Sequence, residues 1–427
     1  MRYYKKELVH TIMSKKVIII GGGIVGLCTA YYLHKAGHHV TVIDQSTMDF
    51  GASYINAGYL APSHIIPLAA PGVMKKGLKW MFNPTSPLFI KPRFNSDFLR
   101  WVWAFNKSCS VKNVARGTTA IKDIAVLGRD LYSEIKSEEK FTFHLEKKGL
   151  LMICQTEKML EEEIRVSQIA IKKGLSAQVL TKEQLKQVEP AIQLQSNGAV
   201  RYDCDWHTTP QTFMTEMKTF LESSGVTILK NEKVTDITIK NNTIHSITTA
   251  TKSYVSDEFV MTAGSWSSKL CKKLGINILL EAGKGYCINS QRDLGITTPA
   301  ILAEAKVAVT PMQGFTRFAG TMEIAGINQT INKVRVETIV NAVKQYYPSI
   351  HLSTTEKETA VSGLRPVSPD GLPYIGRSNK CTNLTIATGH AMMGWTMGTA
   401  TGKLVSEIIA DQKPSLSLDA YHPDRKF

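Results

Sequence analysis

The chain has 427 residues, 43% hydrophobic and 20% charged, which is a globular composition with enough apolar material for two folded units. No uninterrupted apolar run is long enough to span a bilayer. The 51 Lys and Arg against 36 Asp and Glu give a formal charge of +15. This excess is spread along the chain, which argues against a nucleic-acid footprint and suits an anionic membrane surface or a carboxylate substrate.

Residues 1–16 are basic and the run VIIIGGGIVGLCTAYYL after them is apolar, which imitates a secretory signal. The glycines inside that run, and the lack of a small-x-small cleavage site after it, argue otherwise. Met13 is a second candidate start, with residues 1–12 an extension. Cys28, Cys109, Cys154, Cys204, Cys271, Cys287 and Cys381 are scattered, odd in number and form no CxxC, so buried free thiols in a reducing compartment are expected.

Residues 17–44 read VIIIGGGIVGLCTAYYLHKAGHHVTVID. VIII predicts a strand buried on both faces. Gly21, Gly23 and Gly26 then fall in a G-x-G-x-x-G frame, and Ile24, Leu27, Ala30, Tyr31 and Leu33 follow at helical spacing. Gly37 suits the helix C-cap, and VTVID predicts a second strand ending at Asp44. Gly21 allows the tight turn, Gly23 lets backbone approach a diphosphate, and Gly26 lets helix pack on strand. Asp44 stands where a carboxylate accepts hydrogen bonds from ribose hydroxyls and repels a 2′-phosphate. The pattern predicts a Rossmann-like dinucleotide site and leaves NAD and FAD both open.

GASYINAGYLAPS (51–63) predicts a loop returning to the nucleotide, with Ser53, Asn56 and Gly58 offering hydroxyl, amide and backbone contacts. In residues 74–105, Lys and Arg alternate with Trp80, Phe82, Phe89, Phe94, Trp101, Trp103 and Phe105. Such a stretch packs as lobe core or touches a membrane interface. EKMLEEEIRVSQIAIKKG and HTTPQTFMTEMKTFLESSG predict amphipathic helices, the second with Pro210 in its first turn. VRYDCDWH (200–207) reads as a strand and loop, and no second ligand cluster supports a metal site there. FVMTAG (259–264) predicts a buried strand ending in small residues at a ligand. GLRPVSPDGLPYIG (363–376) is too rich in Gly and Pro for helix and holds Arg365 on stiff backbone. In TGHAMMGWTMGTATGK (388–403), GTATGK imitates a phosphate loop but lacks its spacing, since Leu404 follows Lys403. A helix beginning near Gly394 is expected instead, with free N–H groups at its start and Lys403 on the outer surface.

IIIGGGIVGLCTAYYLHKAGHHVTVID, ASYINAGYLAPS, VMTAGSWS, GKGY, GLRPVSPDGLPYIG and TGHAMMGWTMGTATGKLVSEII together resemble the D-amino-acid oxidase–type family of FAD-dependent amine oxidoreductases. NAG…P…PLAAPGV…KWMF, KGY and GHAMMGWTM resemble most the bacterial D-amino-acid dehydrogenase small-subunit type. The resemblance implies noncovalent FAD and an α/β fold, with a discontinuous Rossmann-like FAD-binding domain and a mixed-sheet substrate-binding domain. Expected boundaries are 1–75, 196–275 and 360–427 for the first, and 76–195 and 276–359 for the second. The implied FAD contacts begin with Gly21, Gly23, Ile24, Val25, Gly26, Asp44 and Gln45. Ser53, Asn56, Ala57, Gly58, Val234, Ala263, Gly264 and Trp266 follow. Gly363, Arg365, His390, Met393, Gly394, Trp395 and Thr396 complete the set.

A carboxylate substrate wants an Arg fork. The resemblance makes Arg365 that clamp, with Arg317 as rival, Tyr286 as a hydrogen-bonding partner, and His64 as a second residue for the substrate. No Ser-His-Asp or Cys-His set supports a hydrolase, and no metal is expected. The expected activity is oxidation of D-amino acids, or cyclic imino acids such as D-proline or hydroxyproline, by hydride transfer to flavin N5. The alternatives are a glycine or sarcosine-type oxidase using O₂ and a flavoprotein subunit of a larger amine dehydrogenase. Expected partners are the small substrate, a membrane surface and a quinone, with no nucleic acid. The expected place is cytoplasmic, peripheral on the inner membrane.

Overall fold

The computed structural model of the protein describes residues 13–74 and 86–427. The expectations for residues 1–12, Trp80 and Phe82 lie outside the described residues.

A six-stranded sheet carries the dinucleotide fingerprint. Its order is Thr227–Leu229, His39–Ile43, Lys16–Ile20, Glu258–Met261, Cys381–Thr388 and Tyr374–Ser378. All neighbours are parallel except the last pair. Lys16–Ile20 is buried at every position after Lys16, as the unbroken apolar run requires. Val17 and Ile19 pack with helix Ile24–Lys35. Ile18 and Ile20 pack with the small antiparallel sheet of Asp236–Lys240 and Thr243–Thr248 and with helix Ser267–Lys273. The fingerprint helix Ile24–Lys35 packs on the C-terminal helix Gly394–Ile409, brought from the far end of the chain.

The glycines of GTATGK make that contact. A Cβ on Gly398 would lie 2.7 Å from Ile24 Cγ1, and one on Gly402 would lie 2.5 Å from the carbonyl carbon of Cys28. The pair lets two helix backbones touch, and Lys403 reaches Glu407 one turn on at 3.4 Å.

The second sheet is mixed and nine-stranded. It runs Val361–Val367, Glu281–Ser290, Phe315–Ile324, Val307–Met312, Ala300–Leu302, Leu150–Cys154, Gly198–Tyr202 and Ala177–Leu180, with Leu88–Ile90 added parallel beside Phe315–Ile324. Gly198–Tyr202 and Val361–Val367 belong to segments expected with the cofactor unit, yet their backbones hydrogen-bond into this sheet. Arg365, expected on stiff non-helical backbone, sits on an extended strand opposite Gly283, because an edge strand tolerates the one glycine and one proline, Gly363 and Pro366, that it holds.

Helix Ser96–Ser108 divides the aromatic stretch. Phe98, Trp101 and Phe105 face inward, and Trp101 Nε1 donates to the Val367 carbonyl at 2.9 Å. Trp103 is 63% exposed, and Phe94, just before the helix, is 97% exposed. No helix among the described residues is long and apolar enough to cross a membrane.

Candidate active site

A cavity of about 1580 Å³ lies between the two sheets. It exceeds the range of roughly 300–1,000 Å³ usual for one small ligand, as a dinucleotide plus a substrate requires.

Its first part is the fingerprint. Gly21 has φ +113°, and a Cβ there would lie 2.5 Å from the Thr262 carbonyl oxygen. No side chain caps the helix from Gly23; the Ser53 hydroxyl instead accepts the Ile24 N–H at 2.9 Å. The helix thus turns backbone to the cavity, as a diphosphate needs. Asp44 accepts from Gly22 N at 2.6 Å and from Ser46 N at 2.8 Å, and it still faces the cavity beside Gln45. Ile24, Val25, Asn56, Ala57, Val234 and Ala263 also line it, with Gly264, Trp266 and Gly363.

Two expected contacts do not reach the cavity. Gly26 is spent on helix–strand packing, since a Cβ there would lie 1.9 Å from the Gly21 oxygen. Gly58 is pressed against the Thr208 carbonyl, 2.2 Å from where its Cβ would stand. Each glycine serves a backbone approach, but the approach is to protein.

The loop before Gly394 closes the opposite end, with His390, Met393, Gly394, Trp395 and Thr396 on its wall. The helix starts at Gly394 without a side-chain cap, as the sequence predicts. His390 is buried and neutral: Nε2 lies 2.9 Å from Thr401 Oγ1, and burial pushes its pKa down to about 3. Trp395 is anchored from both ends. Its Nε1 donates to Thr208 Oγ1 at 2.8 Å, and its carbonyl accepts from Tyr132 at 2.8 Å.

Arg365 lines the cavity, lying over Gly285, where a Cβ would be 2.2 Å from Nη2. Its one side-chain hydrogen bond among the described residues runs from Nη1 to the Thr321 carbonyl at 3.0 Å. No acidic side chain pairs with it among the described residues, and burial lowers its pKa to about 10. Arg317, the rival, is not on the wall. Its Nε donates to Asn289, and its Nη1 donates to the carbonyls of Tyr54 and Asn56. Its sequence setting on a substrate-lobe strand matched a clamp, but its side chain points at the cofactor loop and fixes that loop instead.

Tyr286 reaches the cavity with its hydroxyl proton already given to Glu323 at 2.7 Å, so its phenol oxygen remains as an acceptor. His64 is on the wall; burial, and Lys306 nearby, hold its pKa down to about 4.

Thr321 was not foreseen. It has φ +60°, a strained conformation for a β-branched residue. That turn of backbone aims its carbonyl at Arg365, while its own Oγ1 is buried at the cavity wall with no hydrogen-bond partner among the described residues. A lone threonine in FAGTMEI carries no sequence cue for this. Among the described residues no three His, Cys, Asp or Glu side chains gather as metal ligands.

The family model for FAD dependent oxidoreductases (DAO) matches residues 16–408, and the chain belongs to that family. FAD is its cofactor, and the glycine turn, uncapped helix and acidic strand end described above fit it. Three solved structures share the fold. Glycine oxidase from Geobacillus kaustophilus is 19% identical with a TM-score of 0.77, over 97% of this chain and 99% of that one. L-proline dehydrogenase from P. horikoshii is 19% identical with a TM-score of 0.73, over 96% and 97%. L-alpha-glycerophosphate oxidase from Mycoplasma pneumoniae, with FAD bound, is 17% identical with a TM-score of 0.70, over 96% and 97%.

Proposed function

We propose that the protein oxidises the Cα–N bond of a small D-amino acid, or of a cyclic imino acid such as D-proline, to an imine that water hydrolyses. FAD supplies the hydride acceptor, and the chain binds and orients the substrate. Arg365 carries the proposal. It is a cation in a cavity, held by one carbonyl, with no carboxylate among the described residues to neutralise it. A buried charge without a partner is costly, so the site is built for an anion, and the planar fork suits a carboxylate. Glycine oxidase and L-proline dehydrogenase, which share the fold, act by name on small amino acids. The D preference rests on GKGY and GHAMMGWTM.

The test is anaerobic bleaching of the flavin by a panel of D- and L-amino acids, imino acids, glycine and sarcosine. Bleaching by none of them refutes the proposal.

For the acceptor, exposed Phe94, Leu99 and Trp103, with Lys107 lying 5.0 Å from the Trp103 ring centroid, favour a quinone at a membrane surface over O₂. The protein then floats with anionic liposomes and makes little peroxide under air. A wholly soluble fraction removes the membrane arm.

A further inference from the structure

Three side chains form a hydrogen-bonded line that ends on the wall of the same cavity as Arg365. Asp205 is fully buried and accepts twice from Ser63: from the amide at 3.0 Å on Oδ1 and from the hydroxyl at 2.5 Å on Oδ2. Ser63 Oγ also lies 2.9 Å from His64 Nδ1. A hydroxyl carries one proton. With that proton directed to Asp205, the oxygen accepts from His64 Nδ1–H, and Nε2 is left with its lone pair. Among the described residues Nε2 has no hydrogen-bond partner, and His64 is on the cavity wall. No cation lies within ion-pair reach of Asp205 among the described residues. A carboxylate buried without a cation is poor economy for packing alone.

We propose that Asp205, Ser63 and His64 are a proton relay that receives the ammonium proton of the bound substrate at His64 Nε2. The proposal rests on the amine-oxidation reading and deepens it. Hydride leaves Cα only when the nitrogen has a free electron pair, so the ammonium must first lose a proton. The N–H bond breaks, its pair stays on nitrogen, and the proton goes to Nε2. The Nδ1 proton passes to Ser63 Oγ, and the Ser63 hydroxyl proton passes to Asp205 Oδ2. Substrate loses one positive charge, Asp205 loses its negative charge, and His64 ends as the other neutral tautomer. His64 is the group that touches substrate; Ser63 and Asp205 act through it.

The surroundings support this direction of transfer. Burial raises Asp205 to about 7, against the pull of both Ser63 hydrogen bonds, so the carboxylate is ready to take a proton near neutral pH. Burial keeps His64 from resting as imidazolium. The charged and titratable neighbours are few. Arg129 donates to the Cys204 carbonyl at 2.7 Å, and Cys204 Sγ lies 3.4 Å from Asp205 Oδ1. Tyr202 is close to Asp205. Lys306 faces His64 and is paired with Glu163 at 3.7 Å.

The test uses the FAD-loaded protein, with D-proline and D-alanine as probes and anaerobic rapid mixing across a pH series. In wild type the rate of flavin bleaching falls as pH drops through about 7, where Asp205 fills. His64→Ala loses about 100-fold near neutral pH. Its deficit shrinks at alkaline pH, where free amine is already present, and added imidazole restores part of the rate. Ser63→Ala shows the same pH-dependent deficit and carries the test if His64→Ala does not retain FAD. A deficit of equal size at every pH, or none, overturns the relay and leaves amine oxidation standing. If neither probe bleaches the wild-type flavin, the series is run with whichever member of the amine panel does; bleaching by none of them at any pH refutes amine oxidation itself, and the relay with it.

Discussion

Replacing Arg365 with alanine removes the one cation that lines the substrate end of the cavity without an acidic partner among the described residues. The guanidinium lies flat over Gly285 and is held by the Thr321 carbonyl, so its remaining donors are free to form a fork. Hydrogen bonds to a charged group contribute about 1.5–3 kcal/mol each, and a carboxylate buried without its cation costs about 3–5 kcal/mol. At about 1.4 kcal/mol per tenfold change, KM for a carboxylate substrate rises by about 10²–10³-fold. Arg365→Lys keeps the charge, loses the fork and recovers only part of that. FAD stays bound, because most of its wall lies at Gly21–Gly23, Asp44 and the Gly394 turn. Burial holds this guanidinium at about 10, so the cation is present below that pH and is lost as pH rises through it. In wild type KM therefore climbs on the alkaline side, and in Arg365→Ala this climb is absent. Anaerobic reduction at varied substrate concentration, with flavin content read from the spectrum, gives both constants. Unchanged constants in a fully flavinylated variant, or KM that rises only in step with flavin loss, refute the clamp.

Gly402→Ala places a methyl 2.5 Å from the Cys28 carbonyl carbon, and overpacking of this kind costs about 1–3 kcal/mol, read as a lower denaturation midpoint. Thr321→Val keeps the shape and the strained backbone but removes a buried hydroxyl without a partner. Stability should rise by about 1–3 kcal/mol, read as a higher denaturation midpoint, while KM stays as it is because the Thr321 carbonyl that holds Arg365 is kept; an unchanged midpoint refutes the claim that the hydroxyl is buried at a cost. His64, His207 and His390 are held neutral by burial, at about 4, 3 and 3. Each contributes stability that is complete above the ordinary histidine value of 6.5 and is lost as pH falls below it, because only the unfolded chain takes up the proton there. Denaturant midpoints across that window should drop steeply, and His390→Gln should flatten the slope.

Much of the site was legible in order along the chain. The G-x-G-x-x-G frame, its flanking strand and helix, and Asp44 announce themselves because the chemistry is done by local backbone: one turn, one helix start, one strand end. The helix start at Gly394 was legible for the same reason. Arg317 and Arg365 were harder to separate, since both lie on strands of one sheet among small residues. Only side-chain direction separates them, toward the loop carbonyls for one and the cavity for the other.

By itself the sequence determined the cofactor class, the α/β fold around it and the family, because those rest on short contiguous patterns that few backbones satisfy. Tertiary structure alone decided that Gly58, Gly398 and Gly402 face protein: each is a point where backbone or side chain closes on it. It also joined Ser63 and His64 to Asp205, 142 positions beyond Ser63, and left Thr321 strained beneath Arg365. Such placements depend on strands and loops from distant parts of the chain meeting across the cavity, and no local pattern of residues records which of them will meet.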